Sequence, residues 1–261
     1  MMQIRKIYIT LLLLAVAILQ AQAQITIGGN VYGGGNAGNT NGNTNVTVYS
    51  GDLNRVFGGA RQANVGGHAF VHIDGAHASD YVLINHVYGG NDIAGEIGTN
   101  TDLAKTVPDS IEKASENLVD STWNAFVRIS SKMDGDKVAG DNKPVYIGQL
   151  FGGGNGDYDY MTGDFAGKSA PTLAKTYLEI MGGSIVYAFG GGNNATVTEK
   201  TAIYVDNPSA VVNSIKDANN QELLTDARIK EMGYNPGYTY PTSDAFQIGS
   251  FFGGNNTAEM K

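Results

Sequence analysis

The 261-residue chain has no cysteine, one tryptophan, six prolines, four histidines and only 16% charged residues. Without cysteine there is no disulfide framework, no thiolate metal site and no cysteine to carry a lipid behind a leader. Basic residues are scarce: 17 Lys and Arg stand against 25 Asp and Glu, a formal net charge of −8. That balance excludes the basic surface that nucleic-acid phosphates attract. Long apolar runs are also missing, with one exception, Ile7 to Leu19, which is shorter than the roughly 20 residues a membrane-spanning helix needs. Arg5 and Lys6 precede it and Ala21-Gln22-Ala23 follows, the three-part pattern of a cleaved secretory signal. Residues 1–23 are therefore expected to be a signal peptide. Residues 24–261 are expected to form a single exported domain without a transmembrane helix, extracellular or on the outer cell surface, with the periplasm as the alternative.

What the chain has in abundance is glycine, 36 residues of it, and the glycines are periodic. Six segments fit the template apolar-x-x-apolar-aromatic-Gly-Gly-x-polar: Ile27 to Asn36, Leu53 to Arg61, Ile84 to Asp92, Ile147 to Asn155, Ile185 to Asn193 and Ile248 to Asn256. They are taken as aligning without gaps. Between them lies a second motif, apolar-x-apolar, once in every gap: Val46-Thr47-Val48, Val71-His72-Ile73, Val127-Arg128-Ile129, Leu178-Glu179-Ile180 and Ile203-Tyr204-Val205. Period-2 alternation rich in β-branched residues is the sequence form of a strand with one buried face. Two strands per repeat and a minimal repeat of about 25 residues, from Tyr32 to Phe57, predict an all-β solenoid.

Later copies are spaced more widely, which predicts the same coil with corner insertions near 92–124, 157–172 and 207–245. Pro108 to Val119 and Asn220 to Met232 have apolar residues at helical spacing and read as short amphipathic helices. The glycine pairs are expected at corners, where Gly takes positive φ and lets backbones approach. The aromatic before each pair should pack inward on its equivalents. The closing asparagines, Asn36, Asn155, Asn193 and Asn256, should hydrogen-bond from coil to coil.

The alternation of aromatic-Gly-Gly-x-Asn turns with short valine-rich strands, from about Ile25 to Asn256, resembles the glycine-rich repeats of adhesin-like and autotransporter-passenger-like surface proteins of Gram-negative bacteria. The resemblance implies a parallel β-helix on or shed from the cell surface, acting as a stalk or attachment element. It carries no catalytic residue, and none is transferred. The chain stops soon after the sixth motif with no closing strand, which reads as an N-terminal piece of something longer; an uncapped last edge would favour end-to-end self-association.

Constellations for chemistry are weak. His68, His72, His77 and His86 cluster near Asp74 and Asp80, but His72 fills the slot held by Thr47, Arg128, Glu179 and Tyr204 in the other strands, so no metal site is assigned. Gly33 to Gly38 matches a dinucleotide fingerprint without the helix it requires. Gly153 to Asp159 resembles a calcium nonapeptide with Tyr158 where Asp belongs. No acidic pair and no nucleophile elbow stand out, so no cofactor and no enzyme activity are expected.

Strand parity instead points Tyr49, Phe70, Phe126, Tyr177 and Tyr204 outward, an aromatic stripe suited to glycans or a host or matrix protein. Tyr158, Tyr160, Tyr238 and Tyr240 lie in tyrosine-rich loops and are further candidates for contact. The reading is a non-enzymatic structural or adhesive surface protein. A secreted polysaccharide-active enzyme or carbohydrate-binding module, or an inactive fragment of a longer surface protein, are the alternatives.

Overall fold

The computed structural model describes residues 25–75, 81–100, 123–130, 133–134, 137–138, 145–205 and 247–258. The signal-like segment and the two stretches expected to be helical lie outside these residues. The described residues are nearly all β and include a short 3-10 turn at Gly163–Phe165. No helix among them is long and apolar enough to cross a membrane.

Strands β1 (Thr26–Tyr32), β2 (Thr44–Val48), β3 (Gly51–Phe57), β4 (Ala69–Asp74), β5 (Val82–Tyr88) and β6 (Ala125–Ser130) are followed by a short antiparallel pair, β7 (Met133–Asp134) and β8 (Lys137–Val138). Then come β9 (Val145–Phe151), β10 (Thr172–Met181), β11 (Ser184–Phe189), β12 (Thr196–Val205) and β13 (Gln247–Phe252). Two parallel sheets result. One has the order β1-β3-β5-β9-β11-β13 and carries every aromatic-Gly-Gly motif; the other, β12-β10-β6-β4-β2, carries every apolar-x-apolar motif.

The register follows the sequence templates. Leu53, Ile84, Ile147, Ile185 and Ile248 pair in line, as do Phe57, Tyr88, Phe151, Phe189 and Phe252. In the second sheet Val46, Val71, Val127, Leu178 and Ile203 are aligned. The gapless alignment fails only in the first copy: Ile27 pairs with Leu53 and Tyr32 with Phe57, with a register shift between Ile27 and Asn30. One extra residue is absorbed there as a bulge, where the sequence Gly28-Gly29 is least constrained.

One core cluster draws on both sheets: Leu53, Ile84, Ile147 and Ile185 with Val56, Val87, Leu150 and Ala188 from the first, and Val46, Val71, Val127 and Leu178 with Val48, Ile73, Ile129 and Ile180 from the second. Most are fully buried, each contributing about 1.5–3 kcal/mol of apolar transfer. Val87 belongs to this core, so the next residue, Tyr88, points from the other face of the strand. The motif aromatics accordingly form their own cluster rather than joining the inter-sheet core, a correction to the inward packing expected from sequence. They do stack on their equivalents. Centroid separations along Tyr32, Phe57, Tyr88, Phe151, Phe189 and Phe252 are 4.9, 4.7, 4.8, 4.8 and 4.9 Å, the spacing of neighbouring strands.

The hydrogen-bond ladder continues past the strands into the glycine pairs. Gly33, Gly58, Gly89, Gly152 and Gly190 donate to the carbonyls of Phe57, Tyr88, Phe151, Phe189 and Phe252 at 2.8–3.0 Å. None of the motif glycines has positive φ. Their role is proximity alone: a Cβ at Gly89 would lie 2.2 Å from the carbonyl oxygen of Gly152.

Candidate functional site

The polar residue that closes each motif builds a side-chain ladder. Asn256 donates to Asn193 at 2.8 Å, Asn193 to Asn155 at 3.1 Å, and Asn155 to Asp92 at 2.9 Å. All three amides point the same way because the ladder ends on a carboxylate, which only accepts. Asp92 is 1% exposed. It also accepts from the hydroxyls of Tyr158 and Tyr32, each at 2.7 Å. Burial, the largest cause, and the bond to Asp92 together push Tyr158 upward; burial likewise takes Tyr32 to about 12.

These contacts place the two tyrosines of the first tyrosine-rich loop. Tyr158 is tied to Asp92 and meets Phe165 edge-on at 5.0 Å, while the Tyr160 hydroxyl donates to the carbonyl of Ile93. Both therefore pin the loop to the body by their polar ends, leaving Met161, 87% exposed, at its tip. Within the loop Asp159 accepts from the backbone of Met161 and Thr162 and from the Thr162 hydroxyl; that hydroxyl is the main reason its carboxyl is held below the usual range. Tyr238 and Tyr240 lie outside the described residues.

The outer face of the five-stranded sheet carries two columns, not one stripe. In the first, Phe70 pairs with Phe126, Phe126 with Tyr177, and Tyr177 with Ala202. Phe70 and Phe126 stack at 5.1 Å and so do Phe126 and Tyr177; Trp123 tilts onto Tyr177 at 5.3 Å with the Lys200 ammonium 5.0 Å from its ring. Phe70, Phe126 and Tyr177 are buried, and their ring faces are turned to one another. Tyr204 shares this face but pairs with Glu179, in the second column, and Tyr49 lies past the end of β2, four residues beyond Asn45, the residue that pairs with Phe70. Tyr49 is 52% exposed.

The second column holds Thr47, His72, Arg128, Glu179 and Tyr204. Arg128 grips one oxygen of buried Glu179 through Nη2 at 2.6 Å and Nε at 2.7 Å. Burial nevertheless outweighs the guanidinium and holds the Glu179 carboxyl above its ordinary value. Beside it, His72 Nε2 lies 2.8 Å from Ser130 Oγ, and Ser130 Oγ donates to Asp74 Oδ1 at 3.2 Å. Sequence reasoning missed this group of serine, histidine and aspartate, since Ser130 is 58 residues from His72. Extending the strand template by one residue, so that Ser130 falls opposite Asp74, would have found it.

Its proton order does not make a nucleophile. A serine hydroxyl has one proton, here given to Asp74, so His72 must donate to Ser130 rather than take a proton from it. The His72 Nδ1 to Asp74 Oδ2 separation of 4.0 Å is too long for the orienting bond a catalytic histidine needs.

The other histidines are separate. His68 is 2% exposed and its Nδ1 contacts the carbonyl of Trp123. His86 leans on Tyr88, with ring centroids 6.2 Å apart. His77 lies outside the described residues, and no group of three His, Cys, Asp or Glu among those described could hold a metal ion.

Burial first, and then the charge of Arg55, lowers His86 to about 4. The unfolded chain takes up a proton near pH 6.5, the folded one only near 4, so stability falls as pH drops through that window. The expected loss is at most on the order of 3 kcal/mol. It should appear as a falling thermal midpoint between pH 6.5 and 4. His86→Gln, matching Gln149 in the same column, should flatten that slope.

Comparison of the chain with protein-family models, with curated proteins and with solved structures finds no match.

Proposed function

We propose that the chain is a non-enzymatic parallel β-helix of about 25-residue coils, exported by its N-terminal segment and serving as a structural or adhesive element at the cell surface or outside the cell. One observation carries the reading. Groups that elsewhere do chemistry or stack on ligands are spent here on their own equivalents: the amides from Asn256 to Asp92, the rings from Tyr32 to Phe252, the rings from Phe70 to Tyr177. Such ladders stiffen a repeat body and leave few groups for turnover. The two parallel sheets, entered alternately by the chain, support the solenoid; the signal-like residues 1–23 support export.

Attachment to a glycan or to a host or matrix protein falls to exposed Tyr49, to Tyr204 and to the loop pinned by Tyr158 and Tyr160. The test is a screen of the purified protein on immobilised glycans and matrix proteins, with polysaccharide cleavage assayed in parallel. Saturable binding without cleavage is expected, and binding should weaken at least tenfold when residues 159–166 are replaced by a short Gly-Ser linker. Cleavage of any polysaccharide would overturn the reading in favour of an enzyme.

A further inference from the structure

An asparagine followed by glycine is open to spontaneous loss of its side-chain amide, because glycine has no Cβ to shield its nitrogen from the neighbouring Cγ. The sequence holds two such pairs, Asn41-Gly42 and Asn155-Gly156. They are alike in sequence and opposite in structure.

Asn155 is 2% exposed and its amide is held at both atoms: Nδ2 donates to Asp92 at 2.9 Å, and Oδ1 accepts from Asn193 at 3.1 Å. The attacking atom is held as well, since the Gly156 N–H donates to the carbonyl of Asp92 at 2.8 Å. That nitrogen must break a buried bond before it can lose its proton and reach Cγ. The ladder that runs through this pair therefore protects it.

Asn41 is exposed, in a bend just before β2. Among the described residues no hydrogen bond engages its side-chain amide or the Gly42 N–H. The space over Gly42 is open too, a Cβ there meeting nothing within 4 Å. The flanking main chain is nevertheless tied to the second repeat. Thr40 donates to Asn64 at 2.9 Å and accepts from Gly66 at 2.7 Å, and the Gly42 carbonyl accepts from Gly67 at 3.0 Å.

From this contrast we infer that Asn41 is a site of self-modification in the folded protein, converting to aspartate and isoaspartate, while Asn155 is spared. The inference depends on neither export nor adhesion. The Gly42 nitrogen gives its proton to solvent base and bonds to Cγ of Asn41; the Cγ–Nδ2 bond breaks, and Nδ2 takes up a proton and leaves as ammonia. The product is a cyclic imide. Water then opens the ring at either carbonyl, giving aspartate or, where the main chain is left running through the former side-chain carbonyl, isoaspartate. No electrons are exchanged, and water is the only co-reactant. Either product adds a negative charge to a chain whose formal net charge is already −8. Isoaspartate also adds a methylene to the main chain between Thr40 and Gly42, out of step with the bond from Gly67. The change thus loosens the first repeat from the second.

The test is peptide mapping by mass spectrometry of the full-length protein held for weeks in mildly alkaline buffer, beside a sample unfolded in guanidinium chloride. In the folded protein Asn41 should gain the mass of an amide-to-acid exchange at least tenfold faster than Asn155, as two chromatographically separate products of equal mass. In the unfolded sample the two pairs should react at similar rates, which assigns the difference to structure. Gly42→Ala should slow conversion of Asn41 at least tenfold and leave the thermal midpoint unchanged, because the φ at Gly42 is not positive and the added methyl meets nothing within 4 Å. An Asn41 that stays intact in the folded protein while converting in the unfolded one would overturn the inference. So would equal rates at Asn41 and Asn155 in the folded protein, or a conversion that Gly42→Ala does not slow.

Discussion

Phe151→Ala will lower the free energy of unfolding by about 3–5 kcal/mol, the range for emptying a fully buried phenylalanine site. Phe151 is fully buried and stacks on both sides, on Tyr88 and on Phe189, each with ring centroids 4.8 Å apart. The loss has two parts: transfer of the ring to water, and a cavity in a column whose neighbours cannot close up. Backbone bonds at strand spacing fix the separation of those neighbours, so collapse into the gap is resisted. The column itself supplies a control. Phe252 is 47% exposed and, among the described residues, stacks on Phe189 alone, so Phe252→Ala should cost about 1 kcal/mol, roughly one aromatic contact. Urea unfolding followed by far-ultraviolet circular dichroism measures both. Equal losses in the two variants would show that the rings are not a stacked column.

That column also shows how far the sequence could be read. Six aromatics at one template position imply six stacked rings, because parallel strands in register bring like residues together. The asparagine ladder was legible for the same reason. The extra residue in the first copy was not, since Gly28-Gly29 satisfies either alignment and only the pairing of Tyr32 with Phe57 decides. The side of the strand on which the aromatics lie was also hidden. Strict alternation would put Ile84 and Tyr88 on one face, yet Ile84 joins the inter-sheet core with Val87 while Tyr88 does not.

The proposed contact residues divide in the same way. Parity put Phe70, Phe126, Tyr177 and Tyr204 on the outer face, but parity cannot say which column each occupies or whether its ring face is taken. Tyr158 and Tyr160 sit in an insertion with no repeat to align, so their bonds to Asp92 and the Ile93 carbonyl had no signature in sequence.

The motif glycines lead to the second large effect. Gly89→Ala should abolish cooperative folding or cost several kcal/mol, whereas Gly253→Ala, at the same template position, should be nearly silent. The added methyl at Gly89 would lie 2.2 Å from the Gly152 carbonyl oxygen and 2.8 Å from Cγ2 of Val127. Neither neighbour has room to move: the glycine's own N–H is bonded to the Phe151 carbonyl at 2.9 Å, and Val127 is fully buried. Relief requires the two repeats to separate, breaking the ladder that joins them on both sheets, and overpacking alone already costs about 1–3 kcal/mol where a core can adjust. Conformational freedom is not the issue, because the φ at this position is one alanine can adopt. At Gly253 the same methyl meets nothing within 4 Å. Soluble yield and the thermal midpoint of the two variants give the answer. A Gly89→Ala protein as stable as wild type would mean that the repeats are not held at strand spacing through their turns, and the stacked architecture itself would have to be abandoned.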